Sequence, residues 1–352
     1  MTAALRRGTA SDGLPYKLTL IVTRRCPTRC SFCSIWKTPS PDEMTPDEWE
    51  RVFCSTPQAV WANLSGGEIF QRADLGAIVA SMTRRMRNLY VVDFPTTGYF
   101  PERAVETCEA LLAGGVRRVL VTVSLDGPPA LHDQLRGREG AFEQACAGLR
   151  TLRAAKLPRV RAYFGTTLFP ENHDQVDAMI AAARDCVPGL KPRDFHFNLG
   201  MESGHYYRNL GANTTPPVDV LATLERFKRR GLDPVSVIER AYQRRVPAYL
   251  ATGRSPVPCA ALRASVFIDP QGVVYPCSIY DRPLGALRDH GHDLGALLGI
   301  AEARSARQAV IEDRCPGCWS PCEAYQSLFQ HFARSARGER QNGKKNGRAT
   351  VA

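Results

Sequence analysis

Short apolar runs alternate with amphipathic stretches through the first two thirds of the chain. Six runs rich in β-branched and aromatic residues, each closed by small or polar residues, are typical of buried strands: 18–22, 60–64, 89–92, 119–123, 160–164 and 195–199. Five stretches between them space apolar residues as on one helix face: 46–53, 75–87, 102–113, 141–154 and 174–185. This alternation predicts an α/β fold with a parallel sheet, and a partial (β/α)6 TIM-type barrel is favoured over a doubly wound sheet.

The pattern changes after Gly211, where two basic helices are predicted over 216–230 and 235–250. Short elements rich in cysteine follow a Pro-rich boundary at 255–258. The sequence therefore predicts five segments: an N-terminal extension (1–15), the barrel (16–212), a helical linker (213–258), a small cysteine-rich domain (259–332) and a basic tail (333–352).

Composition places the 352-residue chain among ordinary globular proteins, with 44% hydrophobic and 23% charged residues. It has no apolar run long enough for a transmembrane helix and no N-terminal signal peptide, so we expect a cytoplasmic protein that is not integral to a membrane. Much of the net charge of +11 lies in residues 332–352, which hold six Lys/Arg and one Glu and are predicted to be disordered. Because no nucleic-acid-binding motif accompanies this charge, no nucleic-acid partner is expected.

The chain has twelve cysteines, and structural disulfides are rare in the cytoplasm. Four of them, at 54, 108, 146 and 186, fall in or near predicted helices and are expected to be small buried hydrophobes. Cys26, Cys30 and Cys33 lie together in the loop after the first strand. Their spacing is compatible with a [4Fe–4S] cluster that keeps one iron open, with a zinc site lacking a nearby fourth ligand, or with packing or redox thiols.

The Cys-x3-Cys-x2-Cys pattern, with Phe32 before its third cysteine, resembles the signature of radical S-adenosylmethionine (radical SAM) enzymes. The second predicted strand ends in Ser65-Gly66-Gly67-Glu68, similar to the family's Gly-Gly-Glu motif, and residues 123–127 resemble a segment of members with extra clusters. The resemblance implies that Cys26, Cys30 and Cys33 bind three irons of a [4Fe–4S] cluster and that S-adenosylmethionine chelates the fourth. The residues it places against S-adenosylmethionine are Phe32, Ser65, Gly66, Gly67, Glu68, Ser124, Asp126, Thr166 with Thr167, and Asn198. For Asp126, a turn-capping role is equally open.

The remaining five cysteines form a second group, Cys259-x12-Gly272-x4-Cys277 and, after a gap, Cys315-x2-Cys318-x3-Cys322. Residues 266–277 predict a hairpin with its turn at Gln271-Gly272. Spacing alone leaves zinc open. The region resembles the family's C-terminal SPASM and twitch domains, although the full SPASM pattern has more cysteines. A twitch-like site is favoured, in which Cys259, Cys277, Cys315 and Cys318 hold one auxiliary [4Fe–4S] cluster. Cys322 is then spare or an alternative ligand, and a second auxiliary cluster stays open.

The resemblance also implies a reaction: reductive cleavage of S-adenosylmethionine to a 5′-deoxyadenosyl radical, which takes a hydrogen atom from the substrate, with oxidation through the auxiliary cluster as an option. A small polyol, sugar, nucleotide or lipid substrate is favoured. Peptide modification is the alternative and not the favoured hypothesis. Only about 15 residues precede the first strand, which leaves little room for a precursor-binding domain. An electron donor such as flavodoxin or ferredoxin is expected. Hypotheses of another class are an electron-transfer iron–sulfur protein and a zinc-binding nucleic-acid module. His196, His205, Tyr206 and Tyr207 are further candidates to line the pocket.

Overall fold

Six parallel strands form the first part of the fold. The computed structural model describes residues 14–38, 41–228 and 231–346, so the predicted extension lies almost wholly outside the described residues. The strands are β1 (Lys17–Thr23), β2 (Trp61–Gly66), β3 (Val91–Thr96), β4 (Arg118–Ser124), β5 (Val160–Leu168) and β6 (Phe195–Leu199). Each pairs in parallel with the next, which confirms the predicted partial barrel.

Helices follow the first five of these strands and cover the outside of the sheet. They are α1 (Pro46–Cys54, which precedes β2), α2 (Leu75–Arg85), α3 (Pro101–Ala113), α4 (Pro129–Arg136), α5 (Ala141–Ala154) and α6 (Val176–Cys186). The first helix begins where Thr45 and Glu48 cap each other's backbone N–H groups in a capping box. The helices bury their apolar faces against the sheet, and the hydrophobic core lies in this outer layer.

Along each strand, alternate residues face either the outer hydrophobic core or the barrel interior. On β4, Val119, Val121 and Val123 are fully buried in the outer core, whereas Ser124 and alternate residues before it line an internal cavity. Successive side chains of a strand point to opposite faces, so one strand contributes to both layers. The inner face of the barrel is therefore available for ligands.

Three helices follow β6: α7 (Val220–Arg226), α8 (Pro234–Gln243) and α9 (Val246–Thr252). The prediction of two long helices here is wrong. Residues 235–250 are divided because Pro247 has no backbone N–H to continue a helix but fits the first turn of a new one. Residues 229–230 lie outside the described part of the chain.

The cysteine-rich region extends the barrel sheet. Its strands are β7 (Ser265–Ile268), β8 (Val273–Tyr275) and β9 (Gly285–Ala286), and β7 pairs in parallel with β1. The antiparallel pairing of β7 with β8 confirms the predicted hairpin, with Gly272 at φ +85° in its turn. The sheet order is β6-β5-β4-β3-β2-β1-β7-β8-β9.

The chain ends in α10 (Leu294–Leu298), α11 (Ala301–Ile311) and α12 (Pro321–Asn346). Helix α12 is assigned through part of the predicted disordered tail, as far as Asn346, and 347–352 lie outside the described residues. The segment includes Gly338, Asn342, Gly343 and Asn346, which are poor helix formers, so a disordered tail stays a prediction. None of the helices in the described part of the chain is long and apolar enough to cross a bilayer.

Candidate functional site

A cavity of about 1030 Å³ fills the interior of the partial barrel. It is lined by both ends of the strands, from Arg118 at the start of β4 to Ser124 at its end. Helices α8 and α12 line it from the side through residues such as Glu239 and Tyr325. The cavity therefore runs the length of the barrel.

The three cysteines of the loop after β1 lie at one end of this cavity, and all three line it. The Thr28 hydroxyl lies between two of the thiols, 3.2 Å from the Cys26 sulfur and 3.4 Å from the Cys30 sulfur. Burial raises the pKa of the Cys26 thiol and raises that of Cys33 to about 12. Because iron binds the thiolate, metal binding here would release protons.

Gly66 and Gly67 let the end of β2 approach the cysteine loop closely. The N–H of Gly67 donates to the Thr23 carbonyl at 2.9 Å, and the N–H of Glu68 donates to the Arg25 carbonyl at 2.7 Å. A Cβ on Gly67 would lie 2.1 Å from the Arg25 carbonyl oxygen, and Gly66, at φ +149°, is equally crowded. Both glycines also line the cavity, where the sequence placed them against a ligand, and the volume that a side chain would need is filled by the backbone of the cysteine loop.

One buried acceptor atom in the cavity wall, Oδ1 of Asn198 at the end of β6, has no hydrogen-bond partner among the described residues. A buried acceptor without a donor is costly. S-adenosylmethionine carries an amino group on its methionine part and another on its adenine, so this acceptor fits such a ligand. Glu68 is placed differently from the prediction: it is fully buried outside the cavity lining, and its Oε2 accepts from the hydroxyl of Thr96 and from the backbone and hydroxyl of Thr97.

Of the other predicted ligand contacts, Phe32, Ser65 and Ser124 line the cavity. Phe32 stacks on Phe169 with ring centroids 4.3 Å apart, and the Ser65 hydroxyl lies 2.8 Å from that of Tyr206. The structure thus brings an aromatic face and two hydroxyl-bearing strand ends to the cysteine end of the cavity.

Asp126 and Thr166 are placed differently from the prediction, because neither lines the cavity. The Thr166 hydroxyl donates to the Leu125 carbonyl at 2.7 Å, and its neighbour Thr167 faces the cavity instead. Asp126 accepts from the Thr167 N–H at 2.8 Å and forms an ion pair with Arg136. Its observed contacts are those of a residue that joins two strand ends.

Sequence reasoning missed Arg136, which Asp126 holds in place. Its guanidinium lies 3.8 Å from the Cys30 sulfur and 5.4 Å from the centre of the Phe32 ring. Arg136 thus brings a cation directly to a thiol of the cysteine loop. A cation beside a thiolate stabilises the charged form, so Arg136 fits a cluster with thiolate ligands.

Two charged side chains on inner strand positions were also missed. Lys17 on β1 is buried and donates to the Cys322 carbonyl at 2.6 Å, while its ammonium lies over the Trp61 ring. Asp93 on β3 accepts from the side chains of Trp61 and Asn63. Both line the cavity. A charge inside an otherwise apolar strand was the signal that could have found them.

Not all of the predicted aromatic and histidine candidates line the cavity. His196, Tyr206 and Tyr207 line the cavity, whereas His205 lies outside its lining and bonds the Cys277 carbonyl through Nε2 at 3.0 Å. Burial lowers the pKa of His205 to about 4, so it is neutral at physiological pH. His196 makes a 2.6 Å contact with the Glu239 carboxylate.

Four of the five C-terminal cysteines line a second, smaller cavity: Cys259, Cys277, Cys315 and Cys318. Burial raises the pKa of the first two thiols and of Cys318, and the charges of the neighbouring thiols raise them further. Backbone N–H groups point at two of the sulfurs, from Ala261 to Cys259 at 3.5 Å and from Tyr280 to Cys277 at 3.2 Å. Buried thiols with N–H donors are the surroundings of an iron–sulfur cluster.

Cys322 is separated from these four. It lines the large barrel cavity, and the groups that influence its thiol are Lys17, Ser320, Glu323 and Asp93, none of them a cysteine. Across the described residues, no three Cys, His, Asp or Glu side chains converge on one point as the ligands of a single metal ion do. Thiolates around a four-iron cluster each bind a different iron and stay further apart.

The family model described as "Radical SAM superfamily" matches residues 20–183. Three curated relatives match most of the chain. The sporulation killing factor maturation protein SkfB of Bacillus subtilis is 24% identical, and the match covers 82% of this chain and 67% of the relative. The antilisterial bacteriocin subtilosin biosynthesis protein AlbA of Bacillus subtilis is 23% identical, over 86% of this chain and 65% of the relative. The PqqA peptide cyclase of Xanthomonas campestris is 26% identical, over 88% of this chain and 82% of the relative. The chain spans about two thirds of the length of the first two.

Among solved structures, native anSMEcpe with bound AdoMet has the same fold, with a TM-score of 0.57 at 15% identity over 94% of this chain and 100% of that chain. The match to the family model begins within β1 and ends within α6, so it contains the cysteine loop and the Gly-Gly-Glu segment. The family's enzymes use a [4Fe–4S] cluster and S-adenosylmethionine. Residues 20–183 therefore form the domain of a radical SAM enzyme, and the C-terminal region that follows is consistent with a SPASM-type domain.

Proposed function

We propose that this enzyme modifies a peptide. The observation that carries the proposal is the set of relatives that match most of the chain, one of which is named as a peptide cyclase and two of which are named for bacteriocin or killing-factor production. They favour the alternative raised from the sequence over a small polyol, sugar, nucleotide or lipid. The cavity supports it as well, because it continues well beyond the cysteine end.

Roles at the cysteine end follow from the contacts. Cys26, Cys30 and Cys33 would hold the catalytic cluster, while Asn198 would accept a hydrogen bond from an amino group of S-adenosylmethionine. When bound and reduced, the cluster supplies the electron that cleaves S-adenosylmethionine to a radical able to take hydrogen from a substrate. The chain's own part is to orient the substrate and to exclude water from the cavity.

The second site and the partners complete the proposal. Cys259, Cys277, Cys315 and Cys318 would hold one auxiliary [4Fe–4S] cluster, and Cys322 would not be a ligand. A flavodoxin or ferredoxin would supply electrons, in the reducing cytoplasm where thiols stay free.

The test is anaerobic turnover of the reconstituted enzyme with dithionite, S-adenosylmethionine and each short peptide encoded beside its gene. We expect 5′-deoxyadenosine and a peptide of altered mass by mass spectrometry, and neither product with Cys30→Ala. Formation of 5′-deoxyadenosine in the wild type with every peptide unchanged, together with turnover of a sugar or nucleotide, would refute the proposal.

A further inference from the structure

The end of the cavity opposite the cysteines is ringed by basic side chains, which we call the basic rim. Its members come from the start of β4, the end of α5 and the chain after it, the start of β5 and the short helix before β6: Arg118, Arg153, Lys156, Arg161 and Arg193. The fold thus gathers cations from separate parts of the sequence around one opening. A single solvated helix face would not do this.

Positive charge exceeds negative charge at this mouth. Two carboxylates, Asp194 and Asp233, line it together with the five cations, and Asp194 forms an ion pair with Arg153 at 2.8 Å. Among the described residues, Arg118, Lys156 and Arg193 have no acidic side chain within ion-pair distance. Three cations without counter-charges around a low-dielectric opening create a field that attracts anions.

The length of the cavity indicates the size of the ligand. Arg118 and Ser124 are the first and last residues of β4, and both line the cavity. Six strand steps of about 3.3 Å place them about 20 Å apart. A sugar or nucleotide cannot contact both ends at once, whereas an extended peptide of about six residues can.

We propose that the basic rim binds acidic side chains of the peptide substrate, about six residues away from the residue that reacts at the cysteine end. The inference rests on the proposed peptide function and names the class of peptide. Rim charges act mainly on the association rate and on its dependence on salt. Binding should therefore weaken as ionic strength rises.

The experiment measures fluorescence anisotropy of fluorescein-labelled octaglutamate with the reconstituted holoenzyme, without S-adenosylmethionine. The variant carries Arg118→Gln, Lys156→Gln and Arg193→Gln. We expect it to bind about tenfold more weakly, because exposed ion pairs contribute roughly two- to threefold each. The matched control carries Arg87→Gln, Arg117→Gln and Arg184→Gln, three exposed arginines outside the cavity lining, and is expected to bind as the wild type does.

Circular dichroism melting checks that the rim variant folds. If it does not fold, the single variant Lys156→Gln is used in its place, and we expect it to bind about two- to threefold more weakly. Equal octaglutamate binding by the rim and control variants would overturn the proposal. So would tighter binding of a labelled oligothymidylate than of octaglutamate. Because the assay needs no turnover, loss of 5′-deoxyadenosine formation would count against the proposed function and not against the rim.

Discussion

Replacing Gly67 by alanine is expected to separate the end of β2 from the cysteine loop. The new Cβ would lie 2.1 Å from the Arg25 carbonyl oxygen, which is backbone and cannot rotate away. The two hydrogen bonds that join the segments, at 2.9 Å and 2.7 Å, would lengthen or break. Overpacking costs about 1–3 kcal/mol and each lost hydrogen bond about 1 kcal/mol, so the total is roughly 3–5 kcal/mol.

For a chain of this length that loss corresponds to a fall in melting temperature of about 4–7 °C. The assay is differential scanning calorimetry of the anaerobic holoenzyme, with iron per chain and the rate of iron release to a chelator measured on the same sample. Gly76→Ala is the matched control, because Gly76 lies in α2 with no atom within 4 Å of its added Cβ. Alanine there should stabilise the helix by up to about 1 kcal/mol. A Gly67→Ala protein with wild-type melting and iron retention would refute this account.

Three further predictions concern single side chains. Cys318→Ala should remove about four irons per chain and Cys322→Ala none; equal losses would make Cys322 a ligand. Asn198→Ala should raise the KM for S-adenosylmethionine about tenfold in dithionite-driven cleavage, and Thr166→Val, whose hydroxyl bonds a backbone carbonyl, should leave it unchanged. The Arg288 guanidinium beside Glu48 holds the pKa of that carboxyl far below its usual value of 4.5. The ion pair therefore stabilises the fold at pH values above 4.5, and this stabilisation declines as the pH falls further. The melting temperatures of Glu48→Gln and wild type should therefore converge below pH 4.5, and a constant difference would contradict the ion pair.

The barrel could be predicted because its strands and helices have distinct periodicities. The run 119–123, for example, lies within the observed Arg118–Ser124 strand, and the helix over 141–154 has the predicted bounds. The hairpin turn at Gly272 was predictable for the same local reason. The end of α12 is not predictable in this way, because whether residues beyond Phe332 continue a helix depends on how firmly its first turns pack.

What the sequence leaves open at the site is orientation, which sequence spacing does not determine. Thr166 and Thr167 are adjacent at a strand end, and only the parity of β5 decides that the second faces the cavity. Cys322 lies four residues after Cys318, but α12 begins between them at Pro321. Cys318 lines the smaller cavity with the other C-terminal cysteines, and Cys322 lines the barrel cavity. Where the helix begins therefore decides which cavity each cysteine faces.

The C-terminal cysteine-rich region is joined to the cysteine loop after β1 by a buried ion pair. Arg24, two residues before Cys26, donates to the Asp269 carboxylate and to the Gln271 side chain, each at 2.7 Å, in the turn between β7 and β8. Both charged groups are nearly inaccessible. Removal of either partner would leave an uncompensated buried charge, which is strongly destabilising. Because β7 also pairs directly with β1, the C-terminal region is positioned by the sheet that positions the cysteine loop, and its helix α12 forms one wall of the barrel cavity.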